Sequence, residues 1–81
     1  MEEIVTVRVG KRGVSEGFVR ELKRLLKEHK VVKVKVLKNY RDSVEEFNIR
    51  DFAKEIAGIA NARLIEVRGF TFILKFRGEK G

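Results

Sequence analysis

The chain has 81 residues, and its 19 Lys and Arg against 12 Asp and Glu give a formal net charge of +7 at pH 7. It has no cysteine and one histidine, His29, which excludes disulfide bonds, thiolate metal sites and an imidazole cluster for zinc. This length supports one modest core and no second domain, and no apolar run is long enough to cross a membrane. The acidic start lacks the layout of a secretion signal, so we expect a cytoplasmic protein.

Strict alternation over residues 4–9 predicts a half-buried strand, with the valines on one face and Arg8 on the other. The turn sequence Gly10-Lys11-Arg12-Gly13 follows. Ser15 is a suitable N-cap for the next helix, whose apolar residues recur at i, i+4, i+7 and i+8 from Phe18. This helix should end near His29.

A second strand is predicted over residues 31–37, because valines alternate there with lysines. Its valines should face the helices and leave Lys33 and Lys35 on the opposite face, together with Arg8 and Lys75. Residues 38–47 show no firm period and are interpreted as a polar connection. Tyr40, in this segment, is placed either like a base-stacking residue or like an ordinary loop tyrosine.

A second helix should begin after Asn48, an N-cap that Asp51 follows at capping-box spacing, and Phe47 should staple to Phe52. Asn61 is the candidate for a left-handed residue at its end. Two more strands are predicted over residues 64–67 and 70–76, joined by a turn at Arg68-Gly69.

The predicted fold is therefore an α+β two-layer domain of order β-α-β-α-β-β. Because strand-helix-strand crossovers are right-handed, both helices should pack on one face of a mixed four-stranded sheet and leave the other face open. We expect a single domain over residues 1–77 and a loose tail over 78–81.

The sequence gives no positive sign of catalysis or of a cofactor. No nucleophile is paired with a base, and His29 sits near a helix end where an imidazole ordinarily contacts the last carbonyls or solvent. The Gly-x-x-Gly lacks the Gly-Lys-Ser/Thr ending of a Walker loop and the third glycine of a dinucleotide site. We therefore predict that the protein is not an enzyme.

Basic residues cluster where a polyanion would be bound. A helix N-terminus behind two glycines favours phosphate, and Lys11 and Arg12 put two cations at its tip, although the same sequence fits a plain tight turn. Arg20 and Arg24 extend the charge along the helix, and a solvated helix face also explains them. Lysines on an exposed sheet face can alternatively serve to prevent edge-to-edge aggregation. The candidate binding residues are Gly10, Lys11, Arg12, Gly13, Arg20, Arg24, Lys33 and Lys35.

Three blocks resemble the CRM domain (chloroplast RNA splicing and ribosome maturation), which includes YhbY-like single-domain proteins. These blocks are residues 10–17, residues 29–35 and Val67-x-Gly69-x-Thr71-x-Ile73-Leu74. The resemblance implies a fold like the C-terminal domain of translation initiation factor three, with a Gly-x-x-Gly loop used for RNA. It also implies binding to structured ribosomal RNA in precursors of the large subunit. The chain would act as a monomer or weak dimer, with no membrane partner.

The sequence also allows two other hypotheses about function. Archaeal Alba chromatin proteins share the β-α-β-α-β-β order and a comparable glycine-lysine turn, but they rely on a long basic hairpin that is reduced here to Arg68-Gly69. A protein-interaction module could instead use the uncovered sheet face without nucleic acid. Phosphate binding weakens steeply with salt, whereas an apolar protein interface does not, so salt dependence separates the protein-interaction module from the nucleic-acid-binding hypotheses.

Overall fold

The structure, a computed structural model, describes residues 4–78. The elements in chain order are β1 (Val5–Val9), α1 (Glu16–His29), β2 (Val31–Val36), α2 (Lys38–Ser43), α3 (Ile49–Ala60), β3 (Ala62–Arg68) and β4 (Thr71–Phe76). The predicted β-α-β-α-β-β order is confirmed, with one additional short helix. Beyond Gly78, the predicted tail lies outside the described residues. Within residues 4–78, no helix combines the length and the apolar character needed to span a bilayer.

The four strands form one mixed sheet in the order β1-β2-β4-β3. β1 and β2 are parallel, whereas β4 is antiparallel to both β2 and β3. α1 and α3 pack on one face, as predicted, and the buried side chains lie between the helices and the sheet. The largest fully buried side chains are Phe72, Leu22, Leu26, Ile56, Leu74, Val9, Val32, Val34 and Val36.

The helix ends follow the predicted capping chemistry. The Ser15 hydroxyl accepts a hydrogen bond from the Phe18 N–H at 3.1 Å, and the Asn48 side chain accepts one from the Asp51 N–H at 3.0 Å. Asn61 ends α3 in the left-handed region at φ 55° and ψ 48°. Each cap satisfies backbone groups that the helix cannot pair internally, so these three residues fix where the helices begin and end.

The interpretation of residues 38–47 as an irregular polar connection is wrong in its first half, because Lys38–Ser43 forms the helix α2. An i,i+4 ion pair between Lys38 and Asp42, at 2.9 Å, lies on its exposed side. Its inner side carries Tyr40, which is half-buried with its ring centroid 5.3 Å from that of Phe52 and 6.0 Å from that of Phe47. This aromatic contact supplies the burial that a six-residue polar helix lacks alone.

The predicted last strand also begins one residue too early. β4 begins at Thr71, and Phe70 lies in the turn after Gly69, 45% exposed. The Arg41 guanidinium covers the Phe70 ring, with Cζ 3.7 Å from the ring centroid. This contact fastens α2 to the β3–β4 turn, while Phe72 takes the core position that the pattern predicts.

Candidate nucleic-acid interface

The Gly10–Gly13 loop is a tight turn between β1 and α1. The Gly13 N–H donates to the Gly10 carbonyl at 2.8 Å, and Gly13 has φ +69°, a backbone conformation that glycine adopts without steric cost. Lys11 and Arg12 occupy the two central positions of the turn, and both are exposed. The turn therefore presents its two cations to solvent at the tip.

The loop rests against the segment that follows β2. A Cβ atom on Gly13 would lie 3.2 Å from Cε1 of Tyr40, and one on Gly10 would lie 3.3 Å from Cδ1 of Leu37. The Leu37 N–H also donates to the Val9 carbonyl at 2.9 Å. A Cβ atom at either position would make a tight side-chain contact, so the packing behind the loop favours glycine at both positions, and the positive φ favours it further at Gly13. The half-buried Tyr40 ring supplies that packing surface for Gly13, and it also contacts the rings of Phe47 and Phe52.

The start of α1 lies directly after the loop. The Ser15 hydroxyl and carbonyl accept from the Phe18 and Val19 N–H groups, so the preceding N–H groups of Glu16 and Gly17 begin the helix without intrahelical acceptors. The positive end of the helix dipole lies at the same place, which favours an anion.

The open face of the sheet is strongly basic. Val32 pairs with Leu74 and Val34 with Phe72 in the core, so the residues between them project from the opposite face. The register places Arg8, Lys35, Thr71 and Arg68 in one row across the four strands, and Thr6, Lys33, Ile73 and Glu66 in the next. We call these two rows, with the paired Arg63 and Lys75 beyond them, the open-face strip.

The loop and the open-face strip are continuous. Arg8, in the first row of the strip, lines the same shallow depression of about 510 Å³ as Lys11, Arg12 and the start of α1. Lys35 is the register partner of Arg8 on β2. Neighbouring strands lie about 4.8 Å apart, so the cations of this row form a line that starts at the loop.

The two arginines that were predicted to extend the basic surface along α1 differ in their contacts. Arg24 is held between two carboxylates of its own helix, with nitrogen-oxygen distances of 2.8 Å to Glu21 and 3.1 Å to Glu28. The hydrogen bond and charge of Glu21, with a contribution from Glu28, raise the pKa of Arg24 above its ordinary value. Arg20 makes no ion pair within residues 4–78 and lines a second depression with Ser15. Arg20 therefore lies near the loop without an ion-pair partner in the described residues, whereas the charge of Arg24 is already paired on its own helix.

The sequence pattern missed the contribution of β3 to this surface. A register shift between Leu64 and Glu66 marks a β-bulge, after which Glu66 and Arg68 share the outer face with Lys33 and Lys35. Simple alternation cannot place residues on both sides of a bulge, because the extra residue changes the phase of the strand. The described part of the chain has no group of three His, Cys, Asp or Glu residues that could hold a metal ion.

Comparison with known proteins identifies the family. The model of the CRS1/YhbY (CRM) domain matches residues 1–77. The chain belongs to the CRM domain family. Among solved structures, the fold is similar to that of the hypothetical protein SAV1595 from Staphylococcus aureus, with a TM-score of 0.56 and 23% sequence identity over 90% of this chain and 71% of that one. No curated protein matches in sequence. Membership of the CRM family supports the resemblance to CRM domains over the resemblance to Alba proteins.

Proposed function

We propose that this CRM domain protein binds structured RNA through the Gly10–Gly13 loop and the open-face strip. The observation that carries the proposal is the continuous cationic surface from Lys11 and Arg12, through Arg8, to Lys35. Such a surface neutralises several phosphates at once, and each neutralised phosphate releases condensed counterions. The solved neighbour SAV1595 is itself suggested to bind RNA, and the CRM resemblance implies the same for this chain.

The arrangement favours recognition of RNA shape over reading of a long sequence. The tight turn and helix start offer backbone N–H groups and cations, which are ligands for phosphate oxygens. Of the aromatic rings in residues 4–78, those of Phe47, Phe52 and Tyr40 pack together, and Phe72 is fully buried. The rings of this cluster are engaged in internal packing, and the 45% exposed Phe70 ring has the Arg41 guanidinium over one face. The surface is therefore better suited to binding phosphates than to stacking the bases of single-stranded RNA.

We further propose that the natural ligand is ribosomal RNA and that the protein acts in maturation of the large ribosomal subunit, in the cytoplasm. The support is the family resemblance, because stand-alone YhbY-like members are associated with large-subunit precursors. The expected result is that purified large-subunit ribosomal RNA competes for the protein better than an equal mass of small-subunit ribosomal RNA. Equal competition would refute this assignment and leave general RNA binding in place.

The decisive experiment is a salt titration of binding to a structured RNA and to duplex DNA of matched length. It compares the parent protein with Lys11→Ala/Arg12→Ala and with the control Arg50→Ala/Lys54→Ala, which removes two exposed cations from α3. We expect the loop variant to bind RNA roughly 10-fold more weakly and to lose about one unit of salt slope per lost phosphate contact. The control should stay within about twofold of the parent.

The outcomes separate the possible functions. Loop-dependent binding that is tighter for RNA than for DNA supports the proposal. Equal affinity for both polymers would favour a nucleic-acid coat protein. Binding that ignores the loop pair but weakens with the α3 pair would move the interface to the helical side, and absence of binding to either polymer would indicate a protein-interaction module.

A further inference from the structure

A small depression in the open-face strip has a chemistry different from the rest of that surface. It encloses about 250 Å³ and is lined by Lys33, Glu66, Arg68, Thr71 and Ile73. Ile73 and Thr71 are half-buried residues of β4 and form its centre, with Lys33 on one side and Glu66 on the other. The depression therefore has a partly apolar floor, with the cation Lys33 on one side and the carboxylate Glu66, followed by Arg68, on the other.

Glu66 is the one carboxylate of the described open-face strip, and the β-bulge in β3 puts it there. The register moves from Leu64 opposite Leu74 to Glu66 opposite Ile73, so the bulge places a carboxylate beside the central strand. A carboxylate opposes binding of phosphate, so a surface that bound phosphate alone would gain from its absence. Its position points to a ligand group that donates hydrogen bonds.

Glu66 is also available to a ligand. Its nearest cation is Arg68, whose Nε lies 3.6 Å from Oε2 of Glu66, beyond good hydrogen-bond distance. The Arg68 side chain is 86% exposed and that of Glu66 is 46% exposed, so solvent weakens this pair. Exchanging it for ligand hydrogen bonds costs little.

Among the RNA bases, guanine fits this pair of groups best. Its Watson–Crick edge presents two adjacent donors, N1–H and N2–H, which match the two oxygens of a carboxylate. Its O6 and N7 are adjacent acceptors, which is the pattern that lysine recognises. Adenine, cytosine and uracil each place a lone pair beside their donor on that edge, which a carboxylate repels. Lys33 and Glu66 flank the central strand about 10 Å apart, two strand spacings, with room for a flat base between them.

We propose that this depression binds the guanine base of an unpaired nucleotide, with Glu66 accepting from N1–H and N2–H and Lys33 donating to the O6/N7 edge. The ring lies on Ile73 and Thr71. Lys35, in the neighbouring row, is placed to take the attached phosphate. The inference rests on the proposed function, because it gives a phosphate-binding surface one position at which the base matters.

Methyl NMR on the full chain tests this site with mononucleotides. The Ile73 and Thr71 methyl signals are followed while GMP, IMP, AMP or UMP is added to the parent, to Glu66→Gln and to the control Glu55→Gln on α3. IMP differs from GMP only by lacking the N2 amino group. We expect GMP to bind roughly 10-fold more tightly than IMP, because one hydrogen bond to a charged acceptor is lost. Glu66→Gln should abolish that difference, and Glu55→Gln should keep it.

A purely electrostatic effect of Glu66 and recognition of guanine by Glu66 predict opposite changes in nucleotide binding for Glu66→Gln. Removal of a negative charge alone would tighten binding of all four nucleotides equally, whereas loss of the guanine acceptor weakens GMP selectively. Equal shifts of the Ile73 signal with all four nucleotides, no shift with any, or a uniform gain in Glu66→Gln would each overturn the proposal. If the guanine site is overturned in this way, loop-dependent binding of structured RNA by the same preparation would show that the proposed RNA-binding function does not depend on that site.

Discussion

Two surfaces of this protein carry rows of cations, and they differ in how their charge is balanced. On α1, Arg24 lies between carboxylates at i−3 and i+4, and those ion pairs hold its guanidinium on its own helix. On the open-face strip, Lys33 and Lys35 make no ion pair within the described residues, and Arg8, the register partner of Lys35, makes none either.

This difference shows that whether a basic residue is ion-paired depends both on its spacing from acidic residues along the chain and on its neighbours in the fold. A helix brings residues three and four apart into contact, so acidic residues at that spacing can neutralise a basic one locally, as Glu21 and Glu28 do for Arg24. A sheet collects residues that are distant in sequence, and here pairing of β1 with β2 gathers like charges that nothing local offsets. Repulsion between them is relieved when a polyanion binds.

Charge reversal of the two sheet lysines is the strongest way to test this comparison. Lys33→Glu/Lys35→Glu should weaken binding to structured RNA by roughly 100-fold at low salt, because two attractive contacts become repulsive within a cationic row. The measurement is a fluorescence anisotropy titration at several salt concentrations. The slope of log affinity against log salt should become less steep by about one unit for each of the two lysines that contacts a phosphate.

The matched control reverses two exposed lysines of α1, Lys23→Glu/Lys27→Glu, and lowers the net charge by the same four units. If net charge alone governs binding, the two double variants lose the same affinity. We expect the α1 variant to lose less than about fivefold. Comparable losses would contradict the distinction between the two surfaces and spread the binding energy over the whole molecule.

Gly13→Ala tests the loop side of the interface through stability. Alanine at φ +69° is strained, and its Cβ would meet the Tyr40 ring at 3.2 Å. We expect the free energy of unfolding, measured by urea denaturation, to fall by about 1–2 kcal/mol. RNA affinity should fall as well, because relief of the contact moves the turn away from the start of α1.

The comparison residue for this loop variant is Gly17, in the first turn of α1. A Cβ there would meet only the Ser15 hydroxyl oxygen, at an ordinary 3.8 Å. Gly17→Ala should therefore leave stability unchanged or raise it by up to about 1 kcal/mol. Equal destabilisation by the two alanines would show that Tyr40 does not hold the loop.

Much of this fold follows from local signals in the sequence. Ser15, Asn48 and Asn61 mark helix ends because capping is a matter of a few neighbouring atoms. Valine alternation in β2 assigns Lys33 and Lys35 to the open face for a similarly local reason. The roles proposed for these lysines and for the Gly10–Gly13 loop remain predictions from charge and from family resemblance.

Other features depend on contacts that no local window contains. α2 is short and polar, and it is held by Tyr40 against Gly13 and by Arg41 against Phe70, which are far apart in sequence. The bulge in β3 is visible only once Glu66 is paired with Ile73. The pairing of Arg24 is different, because Glu21 and Glu28 at helical spacing were a readable sign that its charge is already engaged.

The smallest predicted effect separates Arg20 from Arg24, which share one helix and one side-chain chemistry. Arg20→Ala should weaken RNA binding about three- to fivefold, because this cation lines the depression beside Ser15 and makes no ion pair within residues 4–78. Arg24→Ala should change affinity by less than twofold, because a phosphate would have to displace Glu21 and Glu28. The double variant Glu21→Gln/Glu28→Gln releases Arg24 without removing it. If ion pairing keeps Arg24 from binding RNA, RNA affinity rises in that double variant. Adding Arg24→Ala to it then lowers RNA affinity as much as Arg20→Ala lowers it in the parent.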